Sequence, residues 1–372
     1  MAEYGVRKFL IDKRARGSPE TQEILDRLGG TALEETAKRA AAPGSREGNV
    51  SRTAMGKDFL HLLPYRGAFL KPCPGTRRYI CCGYQILNIG TGCPLDCSYC
   101  ILQAYFKDQP GLRVFVNLKE GIEGVMNVID SAPRRIFRVG TGEFTDSLAL
   151  DPVTRWSDLI IPKFSTRKNS VLELKTKTTQ IDGPLRSRYR ERIIISWSLN
   201  SPSIASGEER KAAGLRKRLE AAARCQSEGF VLGFHFDPLF HYPGWREDYL
   251  RSVEMLDRYI DPAGIIWISL GAFRFMPELK PIIRKRHPAS RVLDGEFVPG
   301  LDGKLRYFKP IRIELYGYMN EILEKWSQDL GLYLCMESDE VWRKGMGWSP
   351  GDNAGLSRYL DQRVIKVFGG IP

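Results

Sequence analysis

The sequence predicts an α/β fold: a partial (β/α)6 barrel with an N-terminal helical segment and a C-terminal α+β extension. Three observations carry this. Six short apolar runs recur between residues 84 and 270, most of them separated by stretches of helical period. The runs are continuously apolar rather than alternating, as strands buried on both faces are. Polar residues of catalytic type fall at the C-terminal ends of the runs, where chemistry collects in barrels.

Taken in order, residues 1–60 read as an accessory helical segment. Ser18-Pro19-Glu20-Thr21 is a helix start, with Ile24, Leu25 and Leu28 at helical spacing and Gly29-Gly30 as the stop. Thr31–Ala42 predicts a second helix, and Ala42–Ser51 a loop. Residues 61–273 form the barrel. Its strands are expected at Tyr84–Gly90, Arg135–Val139, Val171–Lys175, Ile193–Leu199, Phe230–Phe236 and Ile265–Leu270. Helices are expected at Leu118–Asp130, Pro152–Lys163, Glu208–Glu228 and Glu247–Tyr259. Residues 274–372 are the extension, with a short basic stretch Pro277–His287, a hairpin at Gly300–Arg306, a helix Ile311–Leu330 and a last strand Leu332–Met336.

The 372 residues are 42% hydrophobic and 27% charged, an ordinary globular balance. No run approaches the length that crosses a bilayer, and the first thirty residues hold no signal-peptide core. The expectation is a cytoplasmic protein. The net charge of +12 points to a polyanionic partner, nucleic acid first, or to a solvated basic surface.

Just after the first expected strand stands Cys93-Pro94-Leu95-Asp96-Cys97-Ser98-Tyr99-Cys100. Three thiolates on one tight loop can hold three irons of a cubane cluster and leave the fourth iron open. An open position can take a small molecule, as in catalytic metal sites generally. The other reading is buried or zinc-binding cysteines, but zinc sites bring a second ligand pair, and the four histidines show none at ligand spacing. Cys73, Cys81 and Cys82 could serve an auxiliary cluster or pack as small buried residues. Cys225, in an Ala-rich stretch, reads as core, and nothing in the sequence brings Cys335 to the site.

The C-x3-C-x2-C spacing is identified as the signature of the radical S-adenosylmethionine enzymes. The resemblance implies a [4Fe-4S] cluster on Cys93, Cys97 and Cys100, with S-adenosylmethionine on the open iron. One electron would then release a 5′-deoxyadenosyl radical that abstracts hydrogen from an inert C–H bond, the cofactor carrying the chemistry. Gly140-Thr141-Gly142-Glu143 resembles that group's Gly-Gly-Glu element, which places Gly142 and Glu143 at the methionine amino group. The plainer reading of Glu143 is a surface acid at a turn. Lys177 would meet the methionine carboxylate as a point charge; its plainer reading is a solvated lysine, with Lys175 two residues before it.

The order of motifs over residues 84–340 resembles the spore photoproduct lyase family, which reverses a thymine–thymine lesion in DNA. Its elements here are the three cysteines, Thr145-Asp146, Lys177, Ser198-Leu199-Asn200, Gly233-Phe234-His235-Phe236-Asp237-Pro238 and Gly244-Trp245. The resemblance implies that Thr145, Lys177 and Ser198 contact S-adenosylmethionine, that Tyr99 is a relay residue, and that Arg306 and Tyr307 enter damaged DNA. For Tyr307 a hairpin core is the alternative. It also implies a one-electron donor such as flavodoxin or ferredoxin. Two positions depart from the family pattern. Its hydrogen-returning cysteine is here Glu143, and the second of the tyrosines flanking the third cluster cysteine is here Ile101. The substrate class implied is a nucleic-acid base, DNA favoured. The alternatives are a tRNA base or a peptide, or a nucleic-acid-binding protein whose cluster is structural or redox-sensing.

Overall fold

A computed structural model describes residues 6, 8–29, 34–35, 56–76, 78–106 and 111–370. The barrel strands are β1 (Gln85–Leu87), β2 (Phe137–Gly140), β3 (Ser170–Thr176), β4 (Ile193–Ser198), β5 (Val231–Leu239) and β6 (Ile265–Ala272). They lie side by side in chain order and all run parallel. Two edge strands bring the sheet to eight. Leu332–Leu334 extends it in parallel beyond β6, and Leu70–Pro72 pairs antiparallel with β1.

Alternate residues of a strand face opposite sides, and the register turns this into layers. Lys175, Ser196, Gly233 and Trp267 are level with one another, and Ser198, His235 and Ser269 form the next level. Ser196, His235 and Trp267 of these levels converge on Glu173. It accepts from Ser196 at 2.5 Å, His235 Nε2 at 2.8 Å, Trp267 Nε1 at 2.9 Å and, on its other oxygen, Tyr84 at 2.9 Å. This face is the barrel lumen. Leu172, Leu174, Ile195 and Trp197 point the other way and are buried under the helices.

The helix Leu118–Asp130 has the expected bounds, and Ser18 caps Pro19–Leu28 through the Thr21 N–H. Four expectations are corrected. The N-terminal segment is not simply helical: Lys8–Ile11 and Phe59–Leu63 pair in parallel inside a second, five-stranded sheet. That sheet continues through Leu112–Phe115 to Gly90–Thr91, directly before the cysteines. Of the expected helix Thr31–Ala42, only Glu34–Glu35 are described, and they form a strand; the rest of it and the loop Ala42–Ser51 lie outside the described residues. The helix expected at Pro152–Lys163 is two helices, Asp151–Thr154 and Trp156–Ser165, because Arg155 between them takes a left-handed φ of 50°. The helix expected at Glu208–Glu228 covers only Leu215–Ser227, while Glu209–Arg210 is a strand.

The extension contains the helices Leu279–Arg286, Lys309–Trp326, Asp339–Met346 and Asn353–Phe368, and the hairpin strands Phe297–Pro299 and Leu305–Tyr307. One apolar core runs from Val6 through the barrel to Val364. No helix among the described residues is long and apolar enough to cross a membrane.

Candidate active site

The chain enters the cysteine loop through Gly92, whose φ is +83° and where a Cβ would stand 2.4 Å from the Gly111 carbonyl oxygen. Only glycine adopts that backbone freely at such an approach. Asp96–Cys97 then pairs antiparallel with Glu209–Arg210, Cys97 opposite Glu209 and Asp96 opposite Arg210. The Ser98 N–H extends the pairing to the Glu208 carbonyl at 2.9 Å. Outside the loop, Asp96 takes Lys57 at 3.0 Å and Arg286 at 2.8 Å. Burial would raise the Asp96 carboxyl, but these two cations outweigh it and hold it at about 2. Gln103 donates to the carbonyls of Cys97 and Ser98, at 3.2 and 2.8 Å, and itself accepts from Arg286. Glu208 accepts from Ser98 and, at 2.7 Å, from Ser290. The loop is thus held from four parts of the chain.

Cys97 is buried, Cys93 and Cys100 are partly buried, and none forms a disulfide. Burial raises the Cys93 thiol well above the ordinary range and the Cys97 thiol to about 12. Unligated, both keep their protons, and a metal group bound there would displace them. Among the described residues no three Cys, His, Asp or Glu side chains converge closely enough to hold a single ion. A cubane takes one thiolate per iron, so its ligands stand around a cluster rather than around a point.

On the inner side of the loop, Glu209 is fully buried. It accepts from the Tyr99 hydroxyl and from Lys177 Nζ at 2.9 Å, and pairs with the buried Arg218 at 2.5 Å. Burial would raise its carboxyl, but Lys177 and Arg218 bring it to about 2. Lys177 also lies over the Tyr99 ring, 5.8 Å from its centre, and Tyr99 packs on Phe240 and Phe273. The structure therefore brings Cys97, Tyr99 and Lys177 together through a residue that sequence reasoning placed at the start of a helix. Local composition carries no sign of it, because its partners are distant in the chain.

After β2 the loop Thr141–Ser147 is fastened to β3 by Asp146. One carboxylate oxygen accepts from the N–H groups of Leu148 (3.0 Å) and Ala149 (2.9 Å) and from the Thr176 hydroxyl (2.7 Å). The other accepts from the Lys177 N–H at 2.8 Å. Gly92 N–H donates to Phe144 O at 2.9 Å, which joins this loop to the cysteine loop. Thr145 is buried here, and Gly142 packs so that a Cβ would meet Lys175 Cβ at 3.1 Å. Ser198 is buried at the end of β4, its carbonyl accepting from Arg218 at 3.0 Å.

Glu143 is half-buried at the barrel mouth, where its charge acts on Lys175, Cys73 and Cys82. Burial would lower the Lys175 ammonium; Glu143, Glu173 and Asp237 hold it above the usual lysine range. Among the described residues nothing hydrogen-bonds that ammonium. Lys175, not only Lys177, is thus a mouth cation, and the two-residue spacing along one strand face was a legible sign of it. Asp237 holds Arg274 in two bonds of 3.1 Å, and Arg274 reaches Cys335 Sγ at 3.5 Å. Cys335, unplaced from sequence, belongs to the mouth, whereas Cys225 is core as expected.

Arg306 and Tyr307, expected to enter damaged DNA, are each 1% exposed and pack within the fold here. Arg306 pairs with Asp302 at 2.6 Å and lies over the Tyr79 ring, while Tyr307 stacks on Phe297 and accepts from the His241 N–H. Phe308, next along, is the exposed aromatic of this hairpin.

With this geometry in place, comparisons extend it. The family model described as spore photoproduct lyase matches residues 81–300. The spore photoproduct lyase of Bacillus subtilis (strain 168) is 27% identical over 298 residues, 77% of this chain and 84% of that one. The Clostridium acetobutylicum protein of the same description is 25% identical over 341 residues, 88% and 96% of the two chains. A mutant spore photoproduct lyase solved with bound AdoMet and dinucleoside spore photoproduct superimposes with a TM-score of 0.77 at 23% identity. The match covers 90% of this chain and 99% of that one.

Proposed function

The chain belongs to the spore photoproduct lyase family of radical S-adenosylmethionine enzymes, and from that premise we propose that it acts on a pyrimidine lesion in DNA. The observation that carries the reading is the loop of three disulfide-free cysteines at the C-terminal end of β1, in a chain whose family model spans the barrel. Cys93, Cys97 and Cys100 would hold a [4Fe-4S] cluster. With S-adenosylmethionine bound, that cluster supplies a carbon-centred radical able to abstract hydrogen.

The chain's own residues do the rest. Gly142 and Thr145, on the loop that Asp146 fastens, present backbone and hydroxyl to S-adenosylmethionine, and Ser198 meets it from β4. Lys177 gives up part of its bond to Glu209 to pair with the methionine carboxylate. Tyr99, fixed by Glu209, stands beside the cluster as the relay group. Lys175 offers an unspent ammonium to the substrate at the mouth. The electron comes from a donor such as flavodoxin or ferredoxin, in the reducing cytoplasm that an iron–sulfur site requires.

Glu143 favours a second reading, the same radical chemistry on a tRNA base or a peptide. A carboxylate has no hydrogen that a product radical takes easily, so the return step differs from a thiol-based one. The test is anaerobic protein reconstituted with iron and sulfide, supplied with S-adenosylmethionine, a strong reductant and a dinucleotide lesion. 5′-Deoxyadenosine formation with loss of the lesion is expected. No 5′-deoxyadenosine at all ends the radical reading, and 5′-deoxyadenosine with the lesion intact transfers the case to the second reading.

A further inference from the structure

The cysteine loop has an inner and an outer side, and they differ in charge. Cys97 faces inward to Glu209, while its neighbour Asp96 points outward to Lys57 and Arg286, as alternate residues of a strand must. Two elements cover the outer side. The strand Glu209–Arg210 lays Arg210 opposite Asp96, and the helix Leu279–Arg286 packs on the short helix Leu102–Tyr105 that leaves Cys100. The helix Leu279–Arg286 carries Lys280, Arg284, Lys285 and Arg286 and no acid of its own. Arg210, Arg284 and Lys285 are exposed, and among the described residues no carboxylate lies within ion-pair distance of any of them. Asp96, opposite Arg210 on the paired strand, is already shared by Lys57 and Arg286. Both elements that cover the outer side of the thiol loop thus carry exposed cations.

We infer that this surface is the docking site of an acidic one-electron carrier protein. The inference rests on the cluster reading given above. Electron transfer falls steeply with distance, so a donor must approach the cysteine loop. The inner side is closed by Glu209, Tyr99 and Lys177, and the barrel mouth is where substrate enters. The outer side is the remaining short route. Transient redox complexes use small interfaces, below about 1,200 Å² in total, and gain their association rate from complementary charge rather than from apolar burial. A helix end with two exposed cations, Arg284 and Lys285, together with the exposed Arg210 of the strand that also covers the loop, supplies that charge without an apolar patch.

The test uses full-length protein reconstituted with iron and sulfide, and a flavodoxin as the acidic probe. The variant is R284E/K285E, two exposed positions that touch neither the thiols nor Asp96. Expected are unchanged iron content and unchanged 5′-deoxyadenosine formation with dithionite. With reduced flavodoxin the second-order rate of cluster reduction should fall about tenfold at low salt, in line with loss of steering. The difference from wild type should vanish as salt screens the pair. Flavodoxin binding, followed by titration, should weaken in parallel. Equal flavodoxin rates and affinities for variant and wild type overturn the docking site. So does a variant that loses affinity for duplex DNA while its flavodoxin kinetics stand, which would make the surface a nucleic-acid contact. Failure of dithionite to yield 5′-deoxyadenosine with wild type sinks the cluster reading instead, and the flavodoxin titration then still decides the docking.

Discussion

Glu209 decides how the inner side of the cysteine loop is held. It receives one hydroxyl and two cations in a site without solvent, and Arg218 beside it is fully buried. Removing one partner of such a cluster leaves the others uncompensated, at a cost of about 3–5 kcal/mol. Glu209→Ala is expected to lose that much in urea unfolding of the metal-free protein. The acid side of the stability profile carries the same residue. Its carboxyl sits at about 2 in the fold against a usual 4.5, so its contribution is complete above pH 4.5 and drains away as pH falls towards 2. Glu209→Gln should flatten the unfolding free energy across that window; an unchanged slope would mean that other carboxylates carry it. Below the mouth, Gly140→Ala would put a Cβ 1.5 Å from the Tyr84 hydroxyl, the group that holds Glu173. Overpacking of this kind costs about 1–3 kcal/mol, read as a lowered urea midpoint at constant slope. On the hairpin, Phe308→Ala is expected to weaken binding of a lesion oligonucleotide by about 1–3 kcal/mol. Arg306→Ala should lower stability instead, because Arg306 is a packing residue.

Among the elements, the cysteine loop depends on the helix Leu279–Arg286. Arg286 reaches Asp96 and the Gln103 amide that caps the loop carbonyls. Arg286→Ala should lower the iron bound on reconstitution while the far-ultraviolet circular dichroism stays native, since it removes charge-assisted bonds of about 1.5–3 kcal/mol each from a loop rather than from the core. Full iron occupancy would show that Lys57 and Glu208 hold the loop without it. This contact also shows where reading by sequence ends. β4 and β6 were legible as mainly apolar runs of strand length, β3 and β5 as apolar runs broken by single polar residues such as Glu173 and His235, and the helix Leu118–Asp130 because its apolar period is unbroken. Glu209–Arg210 looked helical because Lys, Ala, Arg and Glu follow it, yet it forms a strand. The choice was made by pairing with Asp96–Cys97 more than a hundred residues away, which no local propensity reports. The N-terminal strands were missed for the same reason, since their partners are each other and Leu112–Phe115. The thiol loop itself was fully legible, because spacing is a local property.

For the molecule as a whole, the excess of +12 charges bears on both proposed partners. The excess is carried by groups outside the buried pairs: Arg138, Arg218, Arg306 and Arg312 are buried and paired one to one with Asp361, Glu209, Asp302 and Glu337, which leaves the net charge unchanged. Arg306 in particular is not available to phosphate. If the chain binds nucleic acid as proposed, its surface cations set that affinity through the phosphates they neutralise. Each phosphate neutralised on duplex DNA contributes about −0.9 to the slope of log K against log salt. A protein that grips six or more phosphates should therefore lose about a thousandfold or more in affinity between roughly 50 and 200 mM salt. We expect that steepness for duplex DNA containing a lesion, measured by anisotropy titration. A slope near zero would confine the surface charge to other work and leave the barrel mouth, with Lys175 and Glu143, to take a small or peptidic substrate. An intermediate slope of about −2 would mean that only the hairpin side meets the backbone. In each case R284E/K285E sharpens the assignment. If the outer face of the cysteine loop serves an electron carrier, that variant leaves the DNA slope where it was, because the phosphates it would have met were never there.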